Sequence, residues 1–291
     1  MTAPLPALLT ILDLEQLEVN IFRGLSPDET VQRVFGGQVA GQALVAAGRS
    51  VPEDRHVHSL HAYFLRPGDP AIPIIYEVDR IRDGRSFTTR RVVAVQHGNP
   101  IFHLSASFQV EEPGVDTYLP MPAAPDPETV PTISERRIAQ GLPAMPHWDR
   151  PRPIDLRWVS DPPWLPDGDT AGRHTQQVWL KASGEMPDDP LMHVCAVTYA
   201  SDLTLLDSVL LAGGMTWDDD REVMVASLDH AMWFHRPFRA DDWLLYDQSA
   251  PSLSGGRGLG IGRLFTRDGR HVVSMVQEGL VRVVGNKETA L

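Results

Sequence analysis

Cysteine is nearly absent from this 291-residue sequence: Cys195 stands alone. That excludes an intrachain disulfide and any metal site built from several thiolates. Long apolar runs are also missing. No stretch approaches eighteen consecutive apolar residues, so no membrane span is expected. Basic charge is in deficit, with 26 Lys and Arg against 38 Asp and Glu and a net charge of -12. Nucleic-acid binding needs a clustered basic surface, so no nucleic-acid partner is expected, and an anionic ligand would have to be held by local arginines or backbone amides. The N-terminus carries neither the basic segment nor the apolar core of a secretion signal, and the C-terminal Thr-Ala-Leu is not a peroxisomal address. A cytoplasmic location is the resulting expectation. The G-x-S-x-G elbow of a covalent serine hydrolase is absent too.

What the sequence does contain is an echo. The stretch Val223 to Phe238, VMVASLDHAMWFHRPF, has a weaker copy in HSLHAYFLRPG at His58 to Gly68, and Phe64-x-Arg66-Pro67 matches Phe234-x-Arg236-Pro237 at an offset of 170. Gly84-Arg85 and Arg91 match Gly256-Arg257 and Arg263 at 172, and the turn His97-Gly98 matches Asp268-Gly269 at 171. Three matched segments in one order indicate a module written twice. Each copy reads as a strand, a buried apolar helix and a meander of long antiparallel strands with hairpin punctuation. Leucines at helical period run through residues 5 to 19, and Asn20 to Gly24 reads as a short strand. In the second copy, HVCAVTYASDLTLLDSVLLAGG suggests a strand end, a helix capped by Ser201 or Asp202, and a stop at Gly213-Gly214. Between the copies lie 10 of the 25 prolines, at Pro113 to Pro153, a density that breaks ladders and helix interiors. A short helix around Ser134 to Gln140 is expected within it. The division predicted is residues 1–112, a proline-rich linker at 113–153, and residues 154–291. The fold class expected is α+β, a tandem (double) hotdog: two antiparallel sheets, each wrapped around a central helix and joined into one long sheet.

Where two copies differ in reactive side chains, the difference is informative. Gly37-Gln38 opens the first buried helix, and Ser201-Asp202 is read as its counterpart; Ser227 faces Val57 across the repeat, and Gln277 faces Ala106. All three polar groups, Asp202, Ser227 and Gln277, belong to the second copy, so one working site per chain is expected. Singly, they read equally as a helix cap, a strand serine and an interior amide in need of partners. Asp229 and His230 stand too close to Ser227 along one strand to complete a triad with it. His56, His58 and His61 lack acidic or thiolate neighbours at ligand spacing, so no metal is expected. Gly255-Gly256-Arg257-Gly258-Leu259-Gly260 fails dinucleotide-loop spacing and reads as a sharply bent strand or loop. Phe234, Trp233 and Tyr63 read as core. Arg66, Arg236 and Arg257 are candidate phosphate contacts.

The segments FGGQVAGQAL, HSLHAYFLRPG, DGRSFTTRRVVAVQHG, YASD, SLDHAMWFHRPF and VQEG resemble those of the acyl-CoA thioesterase II (TesB-type) family, over nearly the whole chain. The resemblance implies a double hotdog that hydrolyses fatty acyl-coenzyme A without a cofactor. It also implies that Asp202, Ser227 and Gln277 bind the hydrolytic water. Backbone N–H groups near Gly37 or Asp202 are the oxyanion donors expected of such a site. Two alternatives accompany it: an acyl-CoA hydratase or dehydratase of hotdog type using an acid and His230, and a non-catalytic acyl-CoA-binding module. Exposed sheet edges lead to the expectation of a homo-oligomer, dimer or tetramer.

Overall fold

The computed structural model describes residues 4–27, 32–143, 152–160, 162, 172–215 and 221–286. The first half runs α1 (Pro4–Leu12), β1 (Glu15–Glu18), β2 (Ile21–Gly24), α2 (Gly36–Gly48), β3 (His56–Phe64), β4 (Ile74–Asp83), β5 (Phe87–Gln96) and β6 (Asn99–Gln109). A one-turn helix at Pro127–Thr129 and α3 (Ile133–Ala139) interrupt the proline-rich stretch. The second half runs β7 (Ile154–Trp158), β8 (Thr175–Ala182), α4 (Pro190–Ser201), α5 (Leu205–Ala212), β9 (Arg221–Ser227), β10 (Asp229–Phe234), β11 (Leu244–Ser254), β12 (Arg257–Thr266) and β13 (His271–Asn286).

All strands join one antiparallel sheet in the order β1-β2-β4-β5-β6-β3-β10-β13-β12-β11-β8-β7, with β9 on β13. Outward from the centre, β3-β6-β5-β4-β2 on one side mirrors β10-β13-β12-β11-β8 on the other. The mirror line is the β3–β10 pairing, where Ala231 stands opposite His61 and Met232 opposite Leu60. The echo in sequence is therefore an echo in space, and the two copies share one continuous sheet as expected. Strands pack because their side chains alternate: in β5, Val92 and Ala94 are buried while Arg91 faces out. The tight turns have the chemistry such hairpins demand, with φ of 49° at His97 and 72° at Gly98, and 61° and 74° at Gly255 and Gly256.

Two expectations are corrected by the fold, and a third is narrowed. Residues 5 to 19 hold a helix that stops at Leu12 and a separate strand from Glu15. The segment from His193 is not a strand end: α4 begins at Pro190, with the Asp189 carboxylate accepting from the Leu191 N–H at 2.9 Å. An aspartate cap followed by proline is a strong helix start, and it outweighs the β-branched Val194, Val197 and Thr198. Of the two readings of the Gly255–Gly260 segment, strand or loop, the fold takes the strand: Gly255-Gly256 form the turn and β12 starts at Arg257. β12 is a regular strand whose inward glycines let α5 approach closely: a Cβ on Gly258 would meet Val209 at 2.0 Å, and one on Gly260 would meet Leu205 at 3.0 Å.

The core lies between the helices and the concave face of the sheet, with Ala43, Leu44, Leu60, Val92, Leu104, Cys195, Val197, Leu264 and Met275 fully buried. By length and apolarity Pro190–Ala212 could cross a membrane, yet 78% of that window is buried inside the fold. It is the core of the second half. The proline-rich stretch covers the opposite face of the sheet there, where Met121 and Ala124 pack on Trp179, Trp243, Leu245 and Phe265. Trp179 Nε1 donates to Pro125 O at 3.0 Å, and Trp243 Nε1 donates to Glu128 at 2.8 Å.

Candidate active site

Helices α2 and α4 run antiparallel, side by side. A Cβ on Gly37 would strike Tyr199 O at 2.4 Å, one on Gly41 would meet Cys195 O at 3.3 Å, and one on Gly48 would strike Leu191 at 2.5 Å. These three glycines set how closely the helices pass, and the C-terminal end of α4 is brought against the N-terminal end of α2.

Asp202 sits at that junction, and its position is a correction. It is the C-cap of α4 rather than a helix N-cap, so its counterpart in the first half is Arg49, the C-cap of α2, and not Gln38. The helix that stabilises its carboxylate is the other one: the Gly37 N–H, in the first turn of α2, donates to it. The helix break at residues 202–204 is held from below by β11. Tyr246 Oη donates to Ser201 O at 3.0 Å, satisfying a carbonyl at the end of α4, and Gln248 Nε2 donates to Thr204 Oγ1 at 2.6 Å.

Ser227 and Gln277 meet Asp202 there. Gln277, on β13, is 0% exposed, and its Nε2 donates to Asp202 Oδ1 at 2.6 Å and to Ser227 Oγ at 2.8 Å. Ser227 Oγ donates to Asp202 Oδ1 at 3.3 Å, a long bond for a hydroxyl. Ser227 is the last residue of β9. It is placed by a break at Leu228, whose N–H donates to Glu278 O at 2.9 Å and whose carbonyl accepts from the Phe64 N–H at 3.0 Å. Asp229 holds the break by accepting from the Glu278 N–H at 2.7 Å. In the first half β3 is not interrupted at the matching positions, where its ladder with β6 shows only a register shift between Val57 and Ser59.

Asp202 lies deep among protein atoms while keeping part of its surface open. Burial pushes its pKa up from 3.8 to about 6, against the lowering pull of the bonds from Gln277, Gly37 and Ser227. It is ionised at neutral pH and basic enough to take a proton. Gly36 leaves the carboxylate room, since a Cβ there would lie 2.7 Å from Asp202 Oδ2 and 2.8 Å from Phe64. Phe35, edge-on to Tyr199 with centroids 5.1 Å apart, forms an apolar wall beside Gly37.

Gly37 thus belongs to the site, with its N–H engaged by the carboxylate. The arginines have other partners: Arg66 donates to Pro100 O at 2.6 Å, Arg236 to His271 O at 2.6 Å and to Asp116, and Arg257 to Glu278 at 3.0 Å. A phosphate on any of them would have to compete with these bonds. His58 bonds Ser107 at 2.8 Å and His61 lies edge-on to Trp233 at 5.3 Å, both away from the trio. Phe234 is core as expected, whereas Tyr63 is 54% exposed on the outer face of the sheet, because in β3 it alternates with buried Ala62. Sequence reasoning did not place Gly36, Ser201 or Tyr246 at the site. Glycine in the first helical turn was the available signal for Gly36.

Comparison with known proteins points to one family. The acyl-CoA thioesterase family model matches residues 154–280, and the acyl-CoA thioesterase N-terminal domain model matches 25–109. Human acyl-coenzyme A thioesterase 8 is 41% identical over 296 residues, covering 94% of this chain and 88% of that protein. Acyl-CoA thioesterase 2 of Haemophilus influenzae is 39% identical over 292 residues, covering 94% and 96%. The crystal structure of acyl-CoA thioesterase II TesB2 from Mycobacterium marinum superposes with a TM-score of 0.77 at 48% identity, covering 95% of this chain and 98% of that one.

Proposed function

The chain belongs to the acyl-CoA thioesterase II family, and from that premise we propose that its nucleophile is a water molecule held jointly by Asp202, Ser227 and Gln277. The enzyme hydrolyses acyl-coenzyme A thioesters to the free acid and coenzyme A. In the proposed step the water oxygen bonds the thioester carbonyl carbon as Asp202 takes a water proton. The tetrahedral intermediate then expels the thiolate as the C–S bond breaks, and the proton leaves Asp202 for the sulfur or for solvent. A thiolate departs readily, so no strong general acid is needed. Ser227 orients the water, and Gln277 fixes the carboxylate and the hydroxyl relative to each other. Fatty acyl groups are the substrates this reading favours, and residues 154–291 carry the three reacting side chains while residues 1–112 contribute the α2 N-terminus.

One observation carries the proposal: a single amide nitrogen, Gln277 Nε2, bonds both the Asp202 carboxylate and the Ser227 hydroxyl. A dehydratase reading would need an imidazole aimed at substrate. His230 is instead 2% exposed, tied to Ser201 Oγ at 2.9 Å, and pushed by burial to a pKa of about 4. The test is free-thiol release from fatty acyl-CoA by wild type and Asp202→Asn. A kcat loss of about 10² to 10⁴ is expected for removal of a general base. Wild-type turnover by the variant would remove Asp202 from that role.

A further inference from the structure

We propose that His230 is a positioning residue that holds the Gln277 amide in its working orientation. The inference rests on the trio described above. In the β10–β13 ladder Ala231 stands opposite Val276, so His230 and Gln277 are direct cross-strand neighbours on the buried face, within side-chain reach of each other. Two polar atoms in this pair have no hydrogen-bonding partner of good geometry: His230 Nδ1 and Gln277 Oε1. Leaving both unmade is costly in a buried site, and one proton assignment satisfies both. Ser201 Oγ stands 2.9 Å from both Thr198 O and His230 Nε2; with its one proton turned from that carbonyl to Nε2, the imidazole proton resides on Nδ1 and points at Gln277 Oε1. The amide then has a single allowed orientation, oxygen toward the imidazole and NH₂ toward Asp202 and Ser227. The reverse orientation would set an amide oxygen against the carboxylate and an NH₂ against the Nδ1 proton.

The sister repeat supports a dedicated pairing. At the matching positions, Leu60 stands opposite Ala106, so the first half is apolar at both places where the second is polar. The groups facing the imidazole are the Ser201 hydroxyl at the end of α4, the Met232 sulfur 3.6 Å from that hydroxyl, and Gln277 of β13. Tyr246 of β11 reaches the same corner through its bond to Ser201 O. Asp202, one residue beyond Ser201, is the only carboxylate bonded to this cluster among the described residues. Burial keeps the imidazole neutral around pH 7, as the assignment requires.

The test compares His230→Asn, His230→Gln and His230→Leu by thiol-release kinetics across pH. An Asn amide nitrogen reaches the position of imidazole Nδ1, whereas a Gln amide reaches that of Nε2. His230→Leu and His230→Gln are expected to lose about 10- to 50-fold in kcat with KM little changed, and His230→Asn to recover most of that loss. In the impaired variants the acid limb of kcat moves to higher pH, because Asp202 loses a donor that favours its ionised form. Adding His230→Leu to Gln277→Ala should cost little further, since both act through one group. Equal losses for Asn and Gln, an unmoved acid limb, or additive losses in the double variant would overturn the proposal. Gln277→Ala at wild-type kcat would instead defeat the trio itself, and a damaged Gln277→Ala beside an undamaged His230→Leu would defeat this inference alone.

Discussion

The antiparallel pair α2 and α4 has two ends built on one plan, and only one of them gathers a carboxylate, a hydroxyl and an amide. At the first, the C-cap of α4 is Asp202, the facing glycine is Gly36, and the strands present Ser227, His230 and Gln277. At the second, the C-cap of α2 is Arg49, the glycine next to it in the same helix, Gly48, packs against Leu191 of α4, and the matching strand positions hold Val57, Leu60 and Ala106. Arg49 turns outward, donating to Leu14 O at 2.6 Å and pairing with Asp13 at 2.7 Å. Duplication supplied two equivalent corners; apolar substitution closed one, and a carboxylate, a hydroxyl, an imidazole and an amide fill the other.

The comparison can be broken position by position. The largest contrast is between the caps: Asp202→Asn should abolish nearly all turnover, while Arg49→Gln leaves kcat within about twofold, as expected of a surface ion pair. Next come the glycines. Gly36→Ala drives a methyl to 2.7 Å from Asp202 Oδ2 and should cost about 10- to 100-fold in kcat, since small displacements of catalytic groups are expensive. Gly48→Ala meets only the movable tip of Leu191 and should lower the melting temperature without touching kcat. Equal kinetic damage from both would show that helix spacing, not the carboxylate, is what Gly36 protects. Then come the strands: Gln277→Ala removes a bond to a charged group and should cost about 10- to 100-fold. Ser227→Ala, whose bond to Asp202 is long at 3.3 Å, should cost less than Gln277→Ala, and Val57→Ala should leave kcat unchanged.

The smallest effects are those of pH. With a pKa near 6, Asp202 is a competent base only when ionised, so kcat/KM should climb with pH through about 6 and level off above 7. Stability runs the other way. The folded pKa is raised above the unfolded 3.8, so the native state holds the proton more tightly; between pH 3.8 and 6 stability falls, and by pH 7 the full penalty of about 3 kcal/mol is present. The melting temperature of Asp202→Asn relative to wild type should therefore rise from pH 5 to pH 7. A pH-independent difference would mean that Asp202 titrates normally.

The doubling, most of the strands and the hairpin turns were legible because each leaves local marks: Phe-x-Arg-Pro twice, His97-Gly98, and alternation along β5; the sheet order was not, since β3 leaves the expected meander to pair with β6 and β10. The polar trio was legible because it interrupts an apolar pattern that the other copy keeps. The antiparallel crossing of α2 and α4 was not, since no local rule reports how two helices from distant segments pass. For that reason Asp202 was matched with Gln38 rather than Arg49, and the role of Gly36 stayed hidden. The start of α4 was misread because Val194, Val197 and Thr198 favour strands in isolation, whereas burial between sheet and partner helix decides the matter.

The β3–β10 seam makes the Asp202 corner common property of both repeats. A chain severed within its proline-rich connection would yield one fragment with a base that lacks its backbone donor and another with a donor that lacks its base. Each would also bare a central strand that wants a neighbour. Mixing the two should restore thiol release that neither fragment shows alone, turning strand recognition across the seam into a readout by complementation.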